Sequence, residues 1–129
     1  MMSGLLLALA VAAAGSAGAV TRVWLDLLLQ RRGPDGVPLG TLGANAAGSL
    51  ILGAVLAASL ASGLDHEVQT ILTVGLCGGL STYSSFGVAT MKEWLAGRYA
   101  LAGLNAIANL ALGYAAAAAG WLAYAALTG

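Results

Sequence analysis

The residues with most chemistry to offer sit in one short run, Gly78-Gly79-Leu80-Ser81-Thr82-Tyr83-Ser84-Ser85-Phe86-Gly87. Two adjacent glycines followed by consecutive hydroxyl side chains make a poor continuous helix. Glycine is entropically costly inside a helix, and short hydroxyl side chains compete for backbone hydrogen bonds. The run therefore predicts a helix break. At membrane depth, carbonyls freed by a break are tolerated where they are buried in protein or face an ion or water, and interrupted helices can present them to a cation. Beyond the break, Tyr83 and Phe86 are three apart and share a helix face. Aromatic ring edges carry partial positive charge, so two edges beside hydroxyls could receive a small, partly dehydrated anion. An aromatic pair at this spacing also serves plain packing.

Two polar stripes lie elsewhere in apolar sequence. Thr41, Asn45 and Ser49 recur every four residues, as do Asn105, Asn109 and Gly113, so each set lies on one helix face. Spacing alone leaves two readings open: interhelical hydrogen bonding, worth about 0.6–2 kcal/mol per contact in membranes, or the lining of a permeation path. Arg22 and Asp26 form an i,i+4 pair near a membrane boundary. They read either as an interfacial ion pair or, for Arg22, as a positive charge drawing anions into a vestibule. Asp65, His66 and Glu67 read as a solvated loop. Cys77 is the single cysteine and His66 the single histidine, which excludes an internal disulfide framework and a zinc-type site. No nucleophile–base constellation suggests an enzyme.

These groups must be positioned by membrane helices. Of 129 residues, 60% are hydrophobic and 8% charged, against roughly 25% charged in an ordinary soluble domain. Too few polar groups remain to cover a water-facing surface. The net charge is zero, which gives no reason to expect a nucleic-acid partner. Four apolar segments, at about 5–29, 40–61, 68–90 and 101–127, each approach the length needed to span a bilayer. The expected architecture is one all-α domain of four transmembrane helices, multi-pass in the cell membrane. The first segment ends its apolar run with small residues, as a secretory signal does. It lacks a basic n-region and stays apolar to Leu29, so it reads as a retained helix.

Connectors are expected at 30–38, which holds both prolines, at 62–67, and at 92–98, with Trp94 and Tyr99 at headgroup level. The first and third carry Arg31, Arg32, Lys92 and Arg98, whereas the other side carries Asp65 and Glu67 and no Lys or Arg. The positive-inside rule then places the first and third connectors in the cytoplasm and both termini outside. With 19 glycines, helix backbones can approach closely.

Three stretches together resemble the CrcB/Fluc fluoride-channel family. Pro38-Leu39-Gly40-Thr41-Leu42-Gly43-Ala44-Asn45-Ala46-Ala47-Gly48-Ser49 looks like its second-helix motif. The run from Gly78 to Phe86 resembles its third-helix Gly-Gly-Leu-Thr-Thr-Phe-Ser-Thr-Phe. Gly18-Ala19-Val20-Thr21-Arg22 fits its first-helix Gly-Ala-x-x-Arg. The resemblance covers nearly the whole chain. It implies an antiparallel dimer with two fluoride-selective pores and a broken third helix. It matches Asn45, Tyr83 and Phe86 to pore residues, with Thr41 and Ser84 beside them, and Asn105 and Asn109 to a polar track usually made by Tyr and Ser. It implies a structural sodium ion held by carbonyls at Gly78 and Ser81. The chain departs from the pattern at Tyr83 (for Phe), at Gly87 (for Ser) and at Ala89, where a glutamate is usual.

The resemblance leaves the dimer partner open: either the chain itself or a related subunit of opposite orientation. The one-sided basic connectors favour the second, because a dual-topology chain needs a small bias. The main competing reading, a small multidrug-type proton-coupled exporter, needs a membrane-embedded carboxylate. The first helix offers only Asp26, near its end.

Overall fold

The computed structural model describes residues 1–30 and 38–129, and these are all-helical with turns between the helices. Of the expected first connector, residues 31–37, with Arg31, Arg32 and Pro34, lie outside the described residues, whereas Gln30 ends the first helix and Pro38 precedes the second. Helix α1 spans Gly4–Gln30 and α2 spans Leu39–Ser62. Helix α3 spans His66–Leu95 with an interruption, and α4 spans Tyr99–Thr128. All four are long and apolar enough to cross a membrane.

The third helix runs longer than its apolar stretch suggests, continuing past Thr90 to Leu95. What reads as a third connector is a tight helix stop. Gly97, at φ 74°, takes the left-handed conformation, with its N–H on the Trp94 carbonyl and the Arg98 N–H on the Glu93 carbonyl. This is the Schellman arrangement that satisfies a helix's last carbonyls. Arg98 also forms an ion pair with Glu93, whose side chain lies in the last turn of α3 and not in a loop. Trp94 and Tyr99 meet edge-on across the turn, with ring centroids 4.7 Å apart. At the opposite end, Asp65 caps α3, its Oδ1 accepting the Glu67 N–H at 2.7 Å.

The break in α3 falls at Ser81 and Thr82, not at the glycine pair. Gly78 is still right-handed helical, at φ −63° and ψ −36°, whereas Ser81 and Thr82 are extended. The glycines serve a different purpose. α1 packs along 71–80 of α3, and a Cβ on Gly79 would strike the Gly15 carbonyl, while one on Gly18 would strike the Leu76 carbonyl. Just before the glycines, Ile71–Cys77 forms a π-helix.

α2 packs most extensively on α4, again backbone to backbone: Gly53 lies on Ala117 and Gly120 on Leu50. The packed interior is mostly small and polar groups, Ala44, Ala57, Ala102, Thr41 and Asn105 among them, with Val55 and Leu80 the larger apolar members. Large apolar side chains point outward, Leu60, Trp24 and Leu110 among them. That inverts a water-soluble protein and suits lipid as solvent.

Overpacking such a crossing typically costs about 1–3 kcal/mol. Gly79→Val and Gly53→Val are each expected to lower the melting temperature of the purified protein in detergent. Gly103→Ala, where an added Cβ meets nothing within 4 Å, should hold or raise it. Equal melting temperatures for all three would refute the close-packing account.

Candidate functional site

The site is organised around the α3 break. A continuous helix would give the Thr82 N–H to the carbonyl of Gly78. Instead the Thr82 N–H donates to Asn45 Oδ1 on α2 at 2.7 Å. The Gly78 carbonyl is thereby released from the helical ladder, and the carbonyls that follow it lie at a helix end. Ser81 Oγ turns back to the Cys77 carbonyl at 2.8 Å. Its hydroxyl is therefore committed within the first half of the helix.

Thr82 then starts the second half. Its Oγ1 accepts the Ser85 N–H at 3.1 Å, an ordinary N-cap. The same hydroxyl lies 3.1 Å from Ser84 Oγ and donates to Ser85 Oγ at 3.2 Å. Arg22 reaches across from α1, its Nη1 donating to Ser85 Oγ at 3.4 Å. Arg22 Nε is buried with no hydrogen-bond partner among the described residues. Arg22, Val23, Asp26, Thr41, Thr82 and Ser85 line a cavity of about 120 Å³. Asp26 packs against the backbone of Gly40 in the first turn of α2, where the helix dipole favours a negative charge.

On the other side of the break lies a groove of about 310 Å³. Its polar lining is Asn45, Ser49, Ser81, Thr82 and Asn109, with Tyr83 and Phe86 as its aromatic wall. The two rings are 5.6 Å apart at a 54° tilt, so the shared face expected from their spacing is present. Tyr83 is 85% exposed, which leaves its ring standing out from the chain.

The two polar stripes face each other. Asn45 Nδ2 donates to Asn109 Oδ1 at 3.0 Å, and Ser49 Oγ lies beside Gly113. Asn109 Nδ2 donates to the Asn105 carbonyl and Oδ1 at 2.9 and 3.0 Å. Asn105, buried, donates from Nδ2 to Thr90 Oγ1 at 2.8 Å. The expected site residues thus divide. Asn45, Tyr83, Phe86 and Asn109 meet in the groove. Thr41 belongs to the Arg22 cavity, and Asn105 lies behind the groove wall. Ser84 lines a third cavity, about 380 Å³, with Ala19, Arg22, Gly78, Gly79 and Ser81.

Sequence reasoning underweighted one contributor and missed another. Ser49 appeared only as a stripe member. Thr90 had a signal in its four-residue offset from Phe86, whose carbonyl its hydroxyl reaches at 2.9 Å.

Comparison with known proteins adds a family. A model described as CrcB-like protein, Camphor Resistance (CrcB), matches residues 9–121. The chain is 40% identical over 118 residues to a protein of Leifsonia xyli subsp. xyli named fluoride-specific ion channel FluC 1, covering 91% of this chain and 86% of that one. It is 43% identical over 101 residues to fluoride-specific ion channel FluC 2 of Haloarcula marismortui, covering 78% and 79%. A fluoride-specific ion channel FluC of Cronobacter sakazakii is 43% identical over 103 residues, covering 79% and 80%.

Proposed function

The chain belongs to the CrcB-like family, and from that premise we propose that it is a fluoride channel, through which the anion leaves the cell passively. The observation that carries this is the groove beside the α3 break. It gathers carboxamide, hydroxyl and aromatic-edge groups on membrane-spanning helices. Fluoride is a small anion that gives up water only to good donors, and filters of this kind work by replacing hydration with fixed protein groups. Asn45, Asn109, Ser49 and the ring edges of Tyr83 and Phe86 line the path. Thr41, Ser84 and Arg22 serve its approach, where an Arg22 Nε without a partner among the described residues favours a negative guest. Asn105 supports the wall from behind.

The path needs a second wall. Tyr83, Ser84 and Gly78 are exposed on a single chain, and a hydroxyl and a backbone carbonyl are poor groups to offer lipid. A second subunit, antiparallel to the first, would cover them. At the same surface the carbonyls of Gly78 and Ser81 are the donors for a structural sodium ion. The fit is chemical: the diverted Thr82 N–H frees the Gly78 carbonyl, the Ser81 hydroxyl is already engaged, and neutral oxygens suit a hard cation. When bound there, the ion supplies charge at the contact between subunits and takes no part in transport.

Reconstituted into liposomes, with a related subunit if one is required, the protein should release fluoride and retain chloride without a proton gradient. Comparable chloride release, or a strict need for a proton gradient, would refute the channel reading.

For the cation, Ser81→Ala should be mild, because the backbone carbonyl does the binding. Replacing sodium by a large organic cation should lower the thermal stability of the assembled dimer. An unchanged melting curve in sodium-free buffer counts against the ion.

The partner is read from charge. Lys92 lies in the last turn of α3 and Arg98 immediately precedes α4, so both lie at one end of the bundle, whereas the other end carries Asp65 and Glu67. A chain so biased inserts in one orientation and pairs with a related subunit inserted the other way. Reporter fusions at the carboxyl terminus should give a signal for outside placement alone. Equal signals for both placements, or fluoride flux from this chain alone, would favour the homodimer.

A further inference from the structure

We propose that Asn45 is a positioning residue that creates and holds the α3 break, and that Asn109 keeps its carboxamide in the holding orientation. The geometry is unusual for a side chain. Asn45 Oδ1 takes the Thr82 N–H at 2.7 Å, and Asn45 Nδ2 lies 3.4 Å from the Thr82 carbonyl. One carboxamide therefore faces both backbone groups of one residue. That is the pairing an extended residue exchanges with a neighbouring strand. Thr82 is extended, at φ −145° and ψ 115°, and buried. Among the described residues there is no strand to pair with it, and Asn45 stands in for one.

The neighbouring hydroxyls do other work. Ser81 Oγ is turned to the Cys77 carbonyl, and Thr82 Oγ1 caps the second half of the helix. Neither engages the Thr82 peptide groups. Without Asn45 the Thr82 N–H would be an orphan at membrane depth, and its nearest remedy is the Gly78 carbonyl one turn back. Removing Asn45 should thus drive α3 toward a continuous helix and carry Tyr83 and Phe86 off their present face.

The carboxamide is held by a one-way relay. The Asn45 Nδ2 donates to Asn109, Asn109 to Asn105, Asn105 to Thr90, and Thr90 to the Phe86 carbonyl. That last acceptor is backbone and cannot exchange roles with a donor, so each amide in turn has one satisfactory orientation. Both Nδ2 hydrogens of Asn45 face protein acceptors, Asn109 Oδ1 and the Thr82 carbonyl. Asn45 therefore serves the groove by fixing its shape, and an anion would have to compete with Asn109 for its donor. This last consequence rests on the fluoride reading, whereas the clamp on Thr82 does not.

Solid-state NMR of the labelled, reconstituted protein tests the clamp directly. The wild type should show a short-range dipolar contact between the Thr82 amide ¹⁵N and the Asn45 ¹³Cγ, with Thr82 Cα and Cβ shifts of an extended residue. Asn45→Leu should move those shifts to helical values. Asn45→Asp, which keeps an acceptor for the N–H, should leave them extended. Asn109→Leu should weaken the Thr82–Asn45 contact. Extended shifts surviving in Asn45→Leu, or no contact in the wild type, would overturn the proposal. Where Asn45→Leu fails to fold, the wild-type contact decides alone. Fluoride efflux from the same vesicles, with the related subunit co-reconstituted if one is required, separates the two readings. Contact without efflux upholds the clamp and sinks the channel, and efflux without contact does the reverse.

Discussion

A peptide group that leaves the helical ladder inside a membrane must find another partner, because water is not there to provide one. At Thr82 that obligation is met across helices, and much of the structure is arranged around how it is met. The Thr82 N–H goes to α2 through Asn45, and its side chain opens the second half of α3. Once Asn45 is committed, its remaining donor capacity has to be met from α4, which brings in Asn109 and Asn105 and, through them, Thr90 back on α3. α2 and α4 can come close enough for this because Gly53 and Gly120 let their backbones touch. Tyr83 and Phe86 are where they are because the second half of the helix begins where it does.

Much of this was legible in the sequence, for identifiable reasons. Four spans follow from hydropathy and length, and both polar stripes follow from four-residue periodicity. A break somewhere in the hydroxyl run was expected, since Ser and Thr favour caps over helix interiors. Its position was not. Gly78 and Gly79 drew attention as weak helix formers, yet both halves of that expectation belong to different residues: the glycines stay helical for contact with α1, and Ser81 and Thr82 leave the helix.

The two stripes illustrate the other limit. Periodicity says which residues share a face, but not which face meets which, or at what height. Whether Asn45 bonds Asn109 or opens to a path was undecidable from spacing, and the structure shows it doing the first while lining a groove. The Arg22–Asp26 spacing suggested partners along one helix. The spacing did not reveal that Arg22 also reaches Ser85 on α3, or that Asp26 lies against Gly40 on α2. Such contacts depend on helix rotation and tilt, which are fixed by packing between helices.

The interior of small residues, with large side chains turned outward, also determines how this fold responds to temperature. In a water-soluble domain, unfolding exposes apolar surface to water, and the resulting heat-capacity change bends the stability curve into a dome. Pulling these helices apart within a bilayer trades contact with Gly and Ala for contact with acyl chains, and wets little apolar surface. The heat-capacity change is correspondingly small. Helix separation should therefore follow a nearly straight line in temperature, without the low-temperature weakening that hydrophobic burial imposes.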